Sequence, residues 1–329
     1  MKEIRTLALS APAPALWGTT YLVTTELLPA GRPLLAGAVR ALPAGLLLVG
    51  AVALAAGGRL ALPRGGWWWR AAVLGSLNIG LFFALLFVAA YRLPGGVAAV
   101  LGALGPFVVA ALAVPLLGDR PARRAMIAGA VGVAGVALLV LRSTVGLDPL
   151  GLAAAAAGTV SMSLGTVLGR RWGTPPGYGR RTTALLALTG WQLTVGGLLQ
   201  LPVALAVEGP PPALTPANLA GFGYLALGGT ALAYFLWFRG VTALAPTRIT
   251  MLALLSPAVA AGLGWVVLGQ ALSPGQLVGT AAVLGAVVLG ASAQAPPSRP
   301  AVAPLAGPGT PRTGVAPPAA DIVSRAVVA

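Results

Sequence analysis

The chain contains neither cysteine nor histidine. Their absence removes disulfides, thiolate nucleophiles, thiolate or imidazole metal sites, and any catalytic triad whose base is histidine. Charge is nearly as scarce. Only 8% of the 329 residues are Asp, Glu, Lys or Arg, against about 25% in an ordinary soluble domain. Ten buried helices would need a polar shell, and this chain has no residues to build one. No phosphate-binding P-loop is present, so ATP-driven work by this chain is not expected. The 46 Gly and 29 Pro follow no Gly-X-Y period, which excludes a collagen. The sequence calls for no metal and no cofactor.

What is present is apolar. Hydrophobic residues make up 57% of the chain, and the mean hydropathy is +0.90. A membrane-spanning helix needs about 20 mostly apolar residues. Ten such runs can be read: 7–28, 34–57, 67–91, 94–117, 123–141, 149–170, 182–206, 216–238, 243–268 and 274–293. They are continuous rather than alternating, which argues against barrel strands. The expectation is an all-α integral membrane protein with ten transmembrane helices. Lys2 and Arg5 ahead of the first run resemble a secretory signal, but the run continues through Leu28, so a retained first helix is expected. Residues 295–329 are rich in Pro and Ala without periodicity and read as a disordered cytoplasmic tail.

The 21 basic residues outnumber 6 acidic ones, for a net charge of +15. With the N-terminus placed in the cytoplasm, seventeen of the 21 fall on that side, among them Arg59, Arg64, Arg70, Arg120 and Arg171. Arg32, Arg92 and Arg142 fall outside, and Arg40 lies within the second run. Such a bias sets topology. It predicts a multi-pass protein of the cell membrane with both termini cytoplasmic. It also removes the nucleic-acid reading, since the charge is spread over separate loops with no recognition module.

The sequence repeats. A shift of 151 residues brings Phe87 onto Phe238, Pro106 onto Pro257 and Gly118 onto Gly269. Each unit holds five runs, an odd number, so the two units are expected to be inverted in the membrane. Residues 1–146 form the first five-helix repeat and 147–294 the second. Matching loops carry opposite charge, as inversion requires. Inverted repeats are an architecture of secondary transporters, with the substrate site near the midplane.

Several segments resemble the EamA type of the drug/metabolite transporter superfamily. They are Trp17-Gly18 in the first run, Arg40 within AGAVRALPAGLLL, Leu-Gly-Pro106, the VPLLGDR turn and the glycine-rich fifth run. The resemblance covers residues 7–293. Members of that family typically place Glu after the turn glycine in both halves, where this chain has Asp119 and Gln270. The resemblance implies export or uptake of small metabolites by alternating access.

Arg40 is the sharpest candidate. A cation at such depth costs about 2.5–3.5 kcal/mol on insertion scales. It should face the bundle interior, either binding an anionic substrate group or pinning helices together, with Glu26 the nearest sequence candidate for a partner. Substrate-binding candidates are Trp17, Tyr21, Arg40, Asn78, Gln192 and Tyr234, polar or aromatic residues in mid-run. Asn78 should face a cavity or another helix. Glu26 is the coupling candidate, because no other Asp or Glu lies in the apolar interiors; without it, transport is uncoupled. Pro106 and Pro257 are matched helix breaks, and such breaks point to a binding site. Trp67, Trp68 and Trp69 are expected to anchor at the cytoplasmic interface. Gly129, Gly132 and Gly135, with Gly275 and Gly279, are close-packing faces. Packing within the monomer and a homodimer seam both remain open for them.

The expected function is a secondary transporter, in the export direction, of small organic metabolites, amino acids or related compounds among them. Its partners are that metabolite and membrane lipid. The alternative is a channel-like or non-transporting membrane protein. A membrane-embedded enzyme lacks the carboxylates, His or Cys it would need.

Overall fold

The computed structural model describes residues 2–59, 61–93, 101–102, 104–118, 123–140, 148–243, 252–268 and 274–292. The turns carrying Asp119 and Gln270, and the tail read as disordered, lie outside the described residues.

Among the described residues the structure is helical, with no strand. Three helices fill the first run: α1 (Lys2–Ser10), α2 (Pro12–Gly18) and α3 (Thr20–Leu27). The second run is α4 (Pro33–Ala55). The third is α5 (Trp67–Gly75) and α6 (Phe82–Arg92), joined by a π-helical turn, Ser76–Leu81. Next come α7 (Gly105–Leu117) and α8 (Arg123–Val140), then α9 (Pro149–Trp172) and α10 (Arg181–Glu208). The eighth run is α11 (Pro216–Ala226) and α12 (Ala233–Ala243), joined by a second π-helical turn, Leu227–Leu232. α13 (Leu255–Leu268) and α14 (Pro274–Ser292) complete the series. Among the described residues five stretches are long and apolar enough to cross a membrane: Pro33–Ala55, Trp67–Arg92, Pro149–Trp172, Arg181–Glu208 and Pro216–Arg239.

The first run stays in α-helical backbone geometry from α1 to α3, with local irregularities at Ala11 and Thr19. Pro12, which has no N–H to donate, opens α2. Thr19 then separates α2 from α3 while its hydroxyl donates to the Leu16 carbonyl at 2.7 Å. Elsewhere the starts follow their capping chemistry. Asp148 caps α9 by accepting from the Leu150 and Gly151 amides, with Pro149 in the first turn. Thr215 and Asn218 form a capping box ahead of α11.

Two helix pairs organise the bundle, and in each pair the partners are equivalent under the 151-residue shift. α4 packs along α10: Gly37 meets Gln200, Leu42 meets Gly197, Gly45 meets Thr194 and Val49 meets Gly190. Numbers rise on one helix as they fall on the other, so the two run antiparallel. Any side chain at Gly45 would place its Cβ 2.5 Å from the Thr194 amide nitrogen, so only glycine permits this approach. α8 packs against α14 in the same sense, with Gly132 against Ala286 and Gly135 against Gly279 and Ala282. The glycine face of the fifth run is thus consumed within the monomer.

Outward-facing positions are apolar: Leu54 is 79% exposed and Val207 72%. In water such a surface would be an aggregation hazard; in lipid it is the expected exterior. Of the three tryptophans read as interface anchors, Trp68 and Trp69 are exposed, but Trp67 is buried against Val52, Ala71 and Trp191. It belongs to the core because it sits one turn before Ala71, on the inward side of α5.

Candidate substrate site around a buried arginine

Arg40 lies in the middle of α4 and is only 3% exposed. Its Nε donates to the Thr230 hydroxyl at 2.8 Å, Nη2 to the Gly229 carbonyl at 3.1 Å, and Nη1 to the Thr20 hydroxyl at 3.4 Å. The guanidinium carbon sits 4.7 Å from the centre of the Phe83 ring, a cation–π contact. Three of its four partners come from elements distant in sequence. Two of them belong to the second π-helical turn.

That origin has a physical reason. A π-helical turn widens the helix by one residue and leaves backbone carbonyls without their usual amides. In hydrocarbon such a group must find another donor. Arg40 supplies it at Gly229. The first π-helical turn solves the same problem with neutral side chains. The Gln200 amide donates to the carbonyls of Ile79 and Gly80. The Ser161 hydroxyl donates to Leu77 at 2.7 Å. The two turns, 76–81 and 227–232, stand 151 residues apart.

Aromatic rings enclose the arginine. Trp17 on α2 meets Tyr234 edge-on at 5.7 Å and Trp237 at 5.0 Å. Tyr234 stacks on Phe238 at 5.9 Å. The phenols of Tyr21, Tyr224 and Tyr234 lie in the neighbourhood of the guanidinium. Tyr224 also shares a 2.9 Å hydrogen bond with Thr19. Tyr21 in turn lines a cavity of about 100 Å³ with Phe82, Leu86, Ala155, Gly158 and Thr159. Trp237, the counterpart of Leu86, packs with Leu7, Leu252 and Leu255.

The candidates read from sequence therefore fall into two groups. Trp17, Tyr21, Arg40 and Tyr234 come together. Asn78 and Gln192 form a second group, in which the Asn78 amide donates to the Gln192 carbonyl at 2.8 Å. The Asn78 side-chain oxygen is buried against Gly165 with no hydrogen-bond partner among the described residues. Glu26 joins neither group. It is exposed, and its carboxylate accepts from its neighbour Thr25 at 3.4 Å. It is not the partner of Arg40. Thr20 and Thr24 define the buried face of α3, and residue 26 lies well round the helix from both. Pro106 and Pro257 each fall in the first turn of a helix, α7 and α13, rather than in mid-helix. Sequence reading missed Gln200, Gly229 and both π-helical turns. Gln200 was detectable as a second amide, after Gln192, in the same apolar run two residues before Pro202.

At the ends of the spans, two charged contacts join helices distant in sequence. Arg92 meets Asp148 at 3.0 Å, and Glu208 accepts from the Leu34 and Leu35 amides at 2.6 and 3.0 Å. Beside Glu208, Arg32 donates to the carbonyls of Gly209 and Pro210. The last turn of α10 and the first of α4 are thus clamped in both directions. Among the described residues there is no cluster of acidic side chains able to hold a metal.

Comparison with known proteins fits this geometry. The EamA-like transporter family model matches the chain twice, over residues 6–141 and 149–291. Protein PecM of Dickeya dadantii is 47% identical over 277 residues, covering 84% of this chain and 89% of that protein. The uncharacterized inner membrane transporter YedA of Escherichia coli is 29% identical over 88% of this chain and 92% of its own length. A protein of known crystal structure superposes with a TM-score of 0.69 over 88% of this chain and 97% of its own, at 21% identity. At that identity the likeness speaks for the fold alone.

Proposed function

The chain belongs to the EamA-like transporter family, and from that premise we propose that it exports small organic metabolites across the cell membrane by alternating access. The family is a ten-helix membrane fold and its named relatives are transporters. The protein is accordingly a multi-pass membrane protein.

One observation carries the finer reading. Arg40, from the first half, is bonded to Thr230 and Gly229, from the second. A buried cation at the seam between halves is where a rocking motion would expose and occlude a ligand. The antiparallel pairing of equivalent helices supports inverted halves. The basic loops support cytoplasmic termini. Transport is proposed to be uncoupled, because Glu26 is exposed and remote from the arginine.

Counterflow by purified protein in liposomes tests this. Saturable exchange that survives collapse of the pH gradient is expected. Non-saturable flux would make the protein a channel, and loss of accumulation with the gradient would restore proton coupling.

A further inference from the structure

The surroundings of Arg40 carry a cation without a counter-charge. Among the described residues no carboxylate contacts it; the ionisable groups in its neighbourhood are the phenols of tyrosines. Its five N–H donors make three hydrogen bonds, one from each nitrogen. One N–H on each terminal nitrogen is therefore without a hydrogen bond among the described residues. The acceptors that hold it are weak ones for a full charge: two hydroxyls and a backbone carbonyl. A carboxylate would bind the same fork more strongly, since charge-assisted pairs are about twice as strong as neutral hydrogen bonds.

The wall around the cation is aromatic and flat. Phe83 lies under it, Trp17 packs edge-on against Tyr234, and Tyr21 lines the cavity. Among the described residues no acidic side chain contacts this region to pair with an ammonium group, and the Gly229 carbonyl already serves Arg40.

Resting on the transporter reading above, we infer that the substrate is a net anion with a flat, unsaturated body, an aromatic or conjugated carboxylate, and not a zwitterion such as an amino acid. Its carboxylate displaces Gly229 and Thr230 from the guanidinium and so releases the second π-helical turn. Occupancy of the site and the bond between halves then exclude each other.

The test uses the full chain in detergent free of anionic lipid, with benzoate and cinnamate as probes and benzamide and phenylalanine as controls. Thermal stabilisation by the two anions should require at least about tenfold lower concentrations than by either control. Thr230→Val, which removes a resting partner of Arg40, should strengthen the benzoate response. Arg40→Lys should weaken it and Arg40→Gln abolish it. Equal responses to benzoate and benzamide, or a stronger response to phenylalanine, overturn the inference. So does the absence of any response to the aromatic carboxylates, or stabilisation by phosphatidylglycerol alone, which would make the site a lipid-headgroup site. The benzoate–benzamide contrast on the unaltered chain keeps the test valid if the Arg40 variants fail to fold. Counterflow separates the two readings. Exchange confined to neutral or zwitterionic compounds overturns the anion and leaves the transporter. Benzoate binding with no counterflow of any compound leaves the anion site and overturns the transporter.

Discussion

The two π-helical turns are the same device closed in two ways. At the first, Gln200 and Ser161 donate to Ile79, Gly80 and Leu77, and every group is neutral. At the second, a full cation donates to Gly229 and Thr230. A neutral amide satisfies a carbonyl without the desolvation cost of a charge. If the arginine served only to hold the second turn, another glutamine would hold it more cheaply. The asymmetry says that the charge is retained for something beyond the fold. The cavity repeats the contrast: open space of about 100 Å³ beside Leu86, and Trp237 in the equivalent place.

The largest effect expected is from Arg40→Met. Transport should fall about 100-fold or more, since a buried charged contact is worth about 2–5 kcal/mol when truncated. Thermal stability should change little, because the loss of the donor to the Gly229 carbonyl, about 1–3 kcal/mol, is offset by taking a buried charge out of the hydrocarbon. A variant that melts well below the wild type while transporting normally would reduce Arg40 to a structural pin. Next is Leu86→Trp, which makes the first half resemble the second by filling the cavity. A loss of transport of about tenfold is expected, with a stability change within the range of about 1–3 kcal/mol typical of added core volume. Normal transport by a folded Leu86→Trp protein would show that substrate does not use this space. Gln200→Leu attacks the neutral lock instead. It leaves the Ile79 and Gly80 carbonyls unsatisfied, at a cost of about 1–3 kcal/mol, and should spare ligand recognition. A shift in substrate preference in that variant would erase the distinction between the turns.

Much of the fold was written in hydropathy. The runs expected at 149–170 and 182–206 appear as Pro149–Trp172 and Arg181–Glu208, because length and apolarity alone decide what can cross a bilayer. Arg40 was legible for the same reason: one charge inside a 23-residue apolar helix stands out. Its partners were not. A carboxylate is the partner that electrostatics suggests, yet the helix face that meets Arg40 carries Thr20, and Glu26 points elsewhere. Which face meets which neighbour is a tertiary fact that a single span does not encode. The π-helical turns were invisible because one extra residue per turn leaves no hydrophobic period. The irregularity at Thr19, whose hydroxyl bonds back to Leu16, was concealed by apolar continuity.

The smallest effect tests whether the contrast between halves extends to their ends. Arg92 pairs with Asp148 where α6 meets α9, and the position equivalent to Arg92 is Ala243. Both partners are substantially exposed, 46% and 34%, so screening leaves the pair little weight. The Asp148 carboxyl nonetheless titrates below its usual range, first because the Gly151 amide donates to it, with Arg92 and the Leu150 amide adding to the effect. A depressed folded pKa stabilises the protein above the ordinary value of 3.8, and that contribution disappears as pH falls through the lower folded value. The contribution is therefore constant across pH 5–8 on the basis of ordinary carboxylate titration. Asp148→Asn keeps a side-chain oxygen for the cap and removes the charge. Its melting temperature should sit slightly below wild type by the same margin throughout that window, and the margin should close below the ordinary carboxylate range. A margin that changed between pH 5 and 8 would mean that a different group controls this junction, and that the charged end of the first half does more than brace α9.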